Sequence, residues 1–245
     1  MRLPGRQKMG GEIVIIFDFD RTLIDDDSDR WVLTNMGLTQ LFNELRPTLP
    51  WNTLMARLLE EIHDQGKTVD DMAECLKRIT MHPYVVAVIK SAHALGCDLK
   101  VASDSNLFYI KTTLKQYGIY DCFSEIITNP AVIDNGRLRI IPYHDAAASS
   151  HGCDLCPPNL CKGIVIKQIQ ASVSESKRKR LIYVGDGMND LCPTLKLVEG
   201  DWVLPRKNFP LWGSIMKNSK HVKAGVYEWG EGEDLAKILL ELINS

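Results

Sequence analysis

Ile13-Val14-Ile15-Ile16-Phe17-Asp18-Phe19-Asp20-Arg21-Thr22 opens with five apolar residues, mostly β-branched, and runs directly into two acids. A short apolar run of this kind forms a strand buried on both faces of a parallel sheet. Side chains two apart point the same way in an extended chain, so Asp18 and Asp20 converge where the backbone leaves the sheet. A dry pair of like charges is unfavourable unless a cation or a proton relieves it. The pair therefore reads as a nucleophile and a neighbouring acid/base assisted by a divalent cation. The competing reading is a solvated loop after a strand, and the rest of the chain has to choose between them.

Downstream lies an acidic turn at Asp25-Asp26-Asp27-Ser28-Asp29, followed by helical periodicity. Trp31, Val32, Met36, Leu38, Leu41, Phe42 and Leu45 keep a 3.6-residue rhythm that Pro47 and Pro50 break. Helices resume over Trp51–His63 and over Val69–Ile79, the latter with Thr68 or Asp70 as its cap. Residues 28–82 thus read as an all-helical insertion. An α/β alternation follows: a helix Tyr84–Leu95, a strand Leu99–Ala102 ending at Ser103-Asp104, and a helix Leu107–Tyr117. Next come a strand Ser124–Thr128 and a hairpin turning at Asp134-Asn135-Gly136-Arg137. A Cys/Pro loop spans His151–Cys161 before a helix Ile164–Ala171. A strand Leu181–Val184 opens into Gly185-Asp186-Gly187-Met188-Asn189-Asp190, then come a strand Trp202–Leu204 and a final helix Leu235–Ile243.

This alternation is the pattern of a doubly wound parallel sheet, an α/β fold, with residues 11–27 and 83–245 as core and 28–82 as cap. Ligands in such sheets sit beyond the carboxyl ends of the strands. Asp18, Ser103 and Asp186 all follow expected strands at that end.

Bulk properties exclude several classes of function. With 245 residues, a formal net charge of -2 and 24% charged residues, the chain makes no electrostatic case for nucleic acid or a membrane surface. No apolar run is long enough to span a bilayer. Met1 to Lys8 is basic but lacks the apolar core of a secretion signal. The seven cysteines, at 75, 97, 122, 153, 156, 161 and 192, suit reduced thiols in the cytoplasm. The oligomeric state is open.

Asp-x-Asp-x-Thr, a strand-end serine, a lysine and Gly-Asp-Gly-x-Asn-Asp, in this order, resemble the haloacid dehalogenase superfamily of phosphatases, with the insertion where that superfamily carries its first type of cap. The resemblance covers the whole chain. The chemistry also follows from the residue types. Phosphate-ester hydrolysis needs in-line attack, neutralisation of the equatorial oxygens and a proton for the leaving oxygen. Asp18 fits the nucleophile that forms an aspartyl-phosphate, and Asp20 fits the general acid and later the base. Mg²⁺ would be held by Asp18, the Asp20 backbone carbonyl and Asp186, with Asp190 as a further ligand or a holder of its water. Ser103 would bind a phosphoryl oxygen. Lys162, at the start of the helix after the Cys/Pro loop, is the expected bridging lysine, with Lys167 as the fallback.

Within the superfamily, Asp27-Ser28-Asp29, Ser103-Asp104-Ser105-Asn106, Cys156-Pro-Pro-Asn-Leu-Cys-Lys162 and Gly185-Asp-Gly-Met-Asn-Asp-Leu-Cys-Pro193 resemble the phosphoethanolamine/phosphocholine phosphatase-like group, most of all its plant thiamine phosphate phosphatase-like members. That resemblance implies substrate contacts at Asp29 and Asp104, and the same motifs carry Thr22 and Asn106 as substrate-binding candidates. Two acids beside a phosphate site suit a positive charge farther along the substrate. Trp31 and Trp51 either stack on such a cation or simply pack in the cap. Arg21 departs from the acid found there in some relatives. The expected substrate is thus a small cationic phosphate ester, thiamine monophosphate before phosphocholine or phosphoethanolamine. Pyridoxal phosphate, inorganic pyrophosphate and a non-catalytic phosphometabolite-binding role are the alternatives. His151, Cys153, Cys156 and Cys161 have a spacing suited to a structural Zn²⁺, or else form a thiol-rich loop. Lys177 to Arg180 reads as a solvated connector.

Overall fold

Ile13–Phe17 forms strand β1, and every one of its side chains is buried. It is flanked on both sides, by β2 (Asp98–Asn106) and β6 (Arg180–Gly185), each running parallel to it. β3 (Glu125–Asn129) extends the sheet beyond β2, while β7 (Trp202–Pro205) and β8 (Gly225–Val226) extend it beyond β6. The order β3-β2-β1-β6-β7-β8 is parallel throughout, so the winding reverses at β1. That reversal opens a crevice at the carboxyl end of β1, where Asp18 stands. The computed structural model describes residues 13–144, 151–172 and 179–245. The basic stretch Met1 to Lys8, core residues 11 and 12, and Lys177-Arg178 of the basic connector lie outside the described residues.

Alternate residues of β1 feed opposite sides of the sheet, as the two-residue period of a strand demands. Ile13, Ile15 and Phe17 join α5 (Pro83–Ala94) and α10 (Gly232–Asn244) in one apolar layer. Val14 and Ile16 join α7 (Lys162–Ser172) and α9 (Pro210–Lys217) in the other. Between β1 and α5 lie four helices: α1 (Ser28–Asn35), α2 (Thr39–Leu45), α3 (Trp51–Asp64) and α4 (Val69–Leu76). They bury a third cluster, including Leu54, Leu58 and Met72, which Tyr109 and Leu138 join from outside the four helices. Thr68 caps α4 in a reciprocal box with Asp71. No described helix is long and apolar enough to cross a membrane.

The expected hairpin is present, while other local features differ from the sequence reading. The helix expected across 31–45 is two, because Gly37 turns the chain with a φ of 80°. β2 runs through Ser103-Asp104 to Asn106 instead of stopping there. The cause is Asn129, whose side-chain amide donates to the Asp104 and Ser105 carbonyls at 2.7 and 2.8 Å and stands in for a ladder partner. The hairpin of β4 (Ala131–Asp134) and β5 (Arg137–Ile140) turns at Asn135-Gly136, with φ of 50° and 75°. It packs against the cap: Leu138 is buried in the cap cluster and its amide donates to His63 Nε2 at 3.0 Å. Helices α8 (Leu191–Thr194) and α9, and strand β8, went unread.

The hairpin is held by its apolar contact, not by the exposed Arg137–Asp64 ion pair at 2.9 Å. Leu138→Ala is therefore expected to lower unfolding stability by about 2–4 kcal/mol. Arg137→Ala should cost less than about 1 kcal/mol. Urea titrations of both variants give the comparison, and the reverse ranking would refute this account.

Candidate active site

Asp18 follows β1 directly. Its amide donates to Val184 at 2.9 Å, and its Oδ1 accepts from the Phe19 amide at 2.7 Å. Lys162, the first residue of α7, reaches the same oxygen at 2.9 Å and Asp190 Oδ1 at 2.8 Å, with Asp104 at 3.8 Å. Its side chain is only 1% exposed. Burial alone would pull the ammonium pKa down, but Asp18, Asp190 and Asp104 together hold it well above the ordinary lysine value. Lys167 is on the exposed side of α7, so of the two lysines it is Lys162 that stands beside Asp18.

Asp190 is the organising acid. It is fully buried, and both its oxygens are engaged: Oδ1 by Lys162 and by the Tyr183 hydroxyl at 2.5 Å, Oδ2 by the amides of Asp186 and Gly187 at 3.0 and 2.9 Å. Asp186 lies beside it and accepts from Thr22 Oγ1 at 3.4 Å. Thr22 thus touches the acid that follows β6. Ser103 is buried, and its hydroxyl accepts from the Ser105 amide at 3.3 Å. Asn106 caps α6 (Leu107–Gln116) by accepting from the Tyr109 amide at 3.0 Å.

Asp20 accepts from the Ser28 amide at 2.7 Å. Burial first, then the nearby Asp27, push its pKa up to about 7, against the pull of that hydrogen bond. Between the two acids and the cap, Arg21 adopts a φ of 54°, held by Arg206, which donates to the Arg21 carbonyl at 2.7 Å. The Arg21 guanidinium pairs with Asp27 at 3.1 Å.

Asp18, Asp20, Arg21, Asp27, Asp104 and Asp186 are among the residues that line a cavity of about 200 Å³, while Lys162, Asp190 and Ser103 lie behind its wall. Asp18, Asp20 and Asp186 form its floor, and Asp29 and Trp51 enter from the cap. A smaller recess of about 30 Å³ shares Asp29, Trp51, Asp104 and Ser105, and Asn106 lines it as well. Asp29 is 6% exposed, and its Oδ1 has no hydrogen-bond partner among the described residues. Burial, with Asp27, Asp20 and Asp104 nearby, raises its pKa well above the carboxylate range. Asp104 accepts from Asn189 Nδ2 at 2.7 Å. Of the two tryptophans, only Trp51 lines these cavities; the Trp31 indole donates to the Cys75 carbonyl at 3.0 Å and packs inside the fold.

Asp18, Asp186 and Asp190 bring carboxylate oxygens within 4.8 Å of one another. Burial first and then mutual repulsion raise the pKa of Asp18 well above its usual value and that of Asp186 to about 7. An all-oxygen set whose repulsion a cation would relieve fits a hard divalent ion such as Mg²⁺. The expected zinc set is corrected. His151 is turned away: its Nδ1 accepts from the Cys153 amide at 3.2 Å, and its Nε2 meets the Pro157 carbonyl at 2.9 Å. Neither ring nitrogen is left for a metal.

Residues 13–243 match the protein family described as Putative Phosphatase. The chain belongs to that family. Inorganic pyrophosphatase 2 of Arabidopsis thaliana is 53% identical over 234 residues, 95% of this chain and 84% of that protein. A thiamine phosphate phosphatase-like protein of Arabidopsis thaliana is 52% identical, covering 96% of each chain. The pyridoxal phosphate phosphatase PHOSPHO2 of Homo sapiens is 32% identical, covering 95% of this chain and 99% of that one. A substrate-bound phosphoserine phosphatase structure shares the fold, with a TM-score of 0.60 at 16% identity over 92% of this chain and 97% of that one. The haloacid-dehalogenase-type α/β architecture and the phosphatase class expected from the motifs are therefore those of this chain.

The site also includes hydrogen-bonding residues that the sequence reading did not single out. Tyr183 was one position of an apolar strand, yet a hydroxyl in a buried strand must find a partner, and Asp190 is it. Ser28, Asn189 and Arg206 hold Asp20, Asp104 and the Arg21 turn.

The raised carboxyl pKa values make a thermodynamic prediction for the metal-free protein. Asp186 and Asp20 bind protons more tightly when folded, with pKa about 7, than at the usual 3.8. Their contribution to stability is fully present below about pH 4 and is lost as pH rises through about 7. A cation that displaces those protons should stabilise most where they are already gone. Mg²⁺ is expected to raise the melting temperature more at about pH 8 than at about pH 5.5, relative to EDTA. Equal increments at both would exclude binding at these acids.

Proposed function

We propose that this phosphatase hydrolyses a small phosphate monoester whose leaving group carries a positive charge, thiamine monophosphate being the best-fitting class. The single observation that carries the choice is Asp29: a buried carboxylate with an unpartnered oxygen, beside Trp51, on the cap side of the cavity. Such a group is costly to leave charged unless a cation meets it. Asp104 adds a second acid on the same wall, and the Trp51 ring offers an apolar, cation-tolerant surface. The cap is the helical insertion 28–82, and the core is 11–27 with 83–245. The seven free thiols fit a reducing compartment such as the cytoplasm.

Asp18 attacks phosphorus in line, the bond to the leaving oxygen breaks, and Asp20 gives that oxygen its proton. Asp20, now ionised, takes a proton from water as the water attacks the aspartyl-phosphate, which frees Asp18. Its raised pKa allows both roles near neutrality. Lys162 balances the charge on Asp18 and on the transferring phosphoryl group, while Asp190 and Tyr183 fix the ammonium in place. Ser103 supplies a hydroxyl on the β2 side. Asp18, the Asp20 carbonyl and Asp186 would hold Mg²⁺, which would supply electrostatic stabilisation of phosphoryl oxygens. Asp190, with four donors already on it, orients the lysine and the Asp186 loop instead.

A second reading, inorganic pyrophosphate, rests on Arg21, a cation on the cavity wall suited to a second phosphate. The name of the 53%-identical Arabidopsis relative supports it. Phosphate release from thiamine monophosphate, pyridoxal phosphate, pyrophosphate and p-nitrophenyl phosphate, ranked by kcat/KM, separates the readings.

Asp18→Asn is expected to abolish turnover on every substrate without unfolding the protein, and EDTA to silence the wild type until Mg²⁺ is restored. Asp29→Asn and Asp104→Asn should each lose roughly 1–3 kcal/mol of kcat/KM on thiamine monophosphate while leaving p-nitrophenyl phosphate nearly unchanged. Equal losses on both substrates would make these acids structural and sink the cationic reading. A loss confined to pyrophosphate in Arg21→Ala, with pyrophosphate the preferred substrate, would establish the second reading.

A further inference from the structure

Away from the cavity, four cysteine sulfurs meet at one point. Cys153, Cys156, Cys161 and Cys192 place their Sγ atoms within 4.8 Å of one another. Cys192 Sγ lies 3.5 Å from Cys153 Sγ and 3.9 Å from Cys161 Sγ. None of the four is in a disulfide, whose sulfurs would stand about 2 Å apart. A tetrahedral ion with metal–sulfur bonds of about 2.3 Å holds its ligands about 3.8 Å from each other. The observed separations bracket that value.

We propose that these four cysteines form a structural Zn²⁺ site. Zinc fits because four soft donors in a tetrahedral set leave no position for water or substrate, the mark of a structural and not a catalytic centre. Cys161 and Cys192 are buried, and Cys153 and Cys156 are half-buried, so the ion would be enclosed from one side and reachable from the other during folding. Binding exchanges protons for metal: four thiols and Zn²⁺ give a tetrathiolate dianion and four protons, with no change of oxidation state.

The placement gives the ion a task. Cys161 immediately precedes Lys162, and Cys192 follows Asp190 by two residues. The described part of the preceding loop, residues 151–161, contains no helix or strand to hold it. The two segments already touch so closely that a Cβ on Gly163 would come within 2.4 Å of Cys192 Sγ. A metal joining Cys153, Cys156 and Cys161 to Cys192 would staple the segment that delivers the lysine to the segment that carries its partner acid. The sequence reading looked for ligands inside one loop and so enlisted His151; the fourth donor comes from 31 residues beyond Cys161.

The test uses the full-length protein purified without added metal or chelator. Elemental analysis is expected to find about one zinc per chain, retained through an EDTA wash that strips a Mg²⁺-type ion and released by a mercurial thiol reagent. Protein refolded with Co²⁺ should show the intense visible bands of tetrahedral cobalt thiolate. Cys153→Ser, at a half-buried position, and Cys192→Ser should each lose most of the zinc, while His151→Ala and Cys97→Ser keep it. Less than about a tenth of an equivalent in the wild type, iron in place of zinc, a disulfide among the four, weak octahedral cobalt bands, or zinc unaffected by Cys153→Ser would each overturn the proposal.

Discussion

The site depends on one buried ammonium. Lys162 sits between Asp18 and Asp190 at 2.9 and 2.8 Å, with almost none of its surface in water. Withdrawing three charges from solvent costs several kcal/mol each, and their attraction does not reliably return it. The group therefore makes better sense as preorganisation. With the lysine in place, Asp18 faces a fixed positive charge, and in the proposed role of nucleophile it would need no solvent to reorient when negative charge shifts toward phosphorus. The supporting contacts serve the same end. Tyr183 comes from β6, the amides of Asp186 and Gly187 from the turn after it, and Lys162 from the first position of α7. Displacing any one of these leaves a buried charge with too few partners.

The sheet explains why such distant residues meet. β1 is the strand at which the winding reverses, and its neighbours on either side deliver Ser103 and Asp186 to the same end. Much of this was legible in the sequence. The apolar run before Asp18, the strand before Asp186 and the glycines at 96 and 118 announce themselves through composition and period, which are local properties. What stayed hidden was decided by contacts between segments. Asn129 lengthens β2 with its side chain, a role no strand propensity encodes. Asn106, expected at the substrate, is also a helix cap, because an asparagine before Leu107 can serve the backbone as well as a ligand. Tyr183 looked like any strand residue until its neighbour across the turn was known. Gly37 was a local signal passed over, as was Pro210 at the start of α9: both breaks were available from residue type alone.

Charge is distributed unevenly around the cavity. The floor gathers carboxylates, one of them paired with Lys162, while Asp27 adds another from the turn before the cap and Asp29 one from the cap itself, with Arg21 bound to Asp27. A phosphate entering this field would be attracted near Lys162 and Arg21 and repelled elsewhere, so under the proposed function the field itself would orient an ester whose far end is positive. The same field would disfavour a leaving group carrying extra negative charge, unless Arg21 exchanged Asp27 for it.

The hairpin carries a consequence for traffic through the site. Leu138, from the hairpin, and Tyr109, from α6 beside the sheet, both lie inside the apolar cluster of the cap helices. A cap whose oily interior is shared with the body beneath it cannot swing clear as a rigid lid without wetting that interior. Entry and exit would then call for small local rearrangements near Trp51, Arg21 and Asp27, which line the cavity. Under the proposed function, an opening on that scale would pass a metabolite and turn away a phosphorylated protein side chain with its backbone attached. Molecular size would be screened at the doorway, before any residue of the floor had been reached.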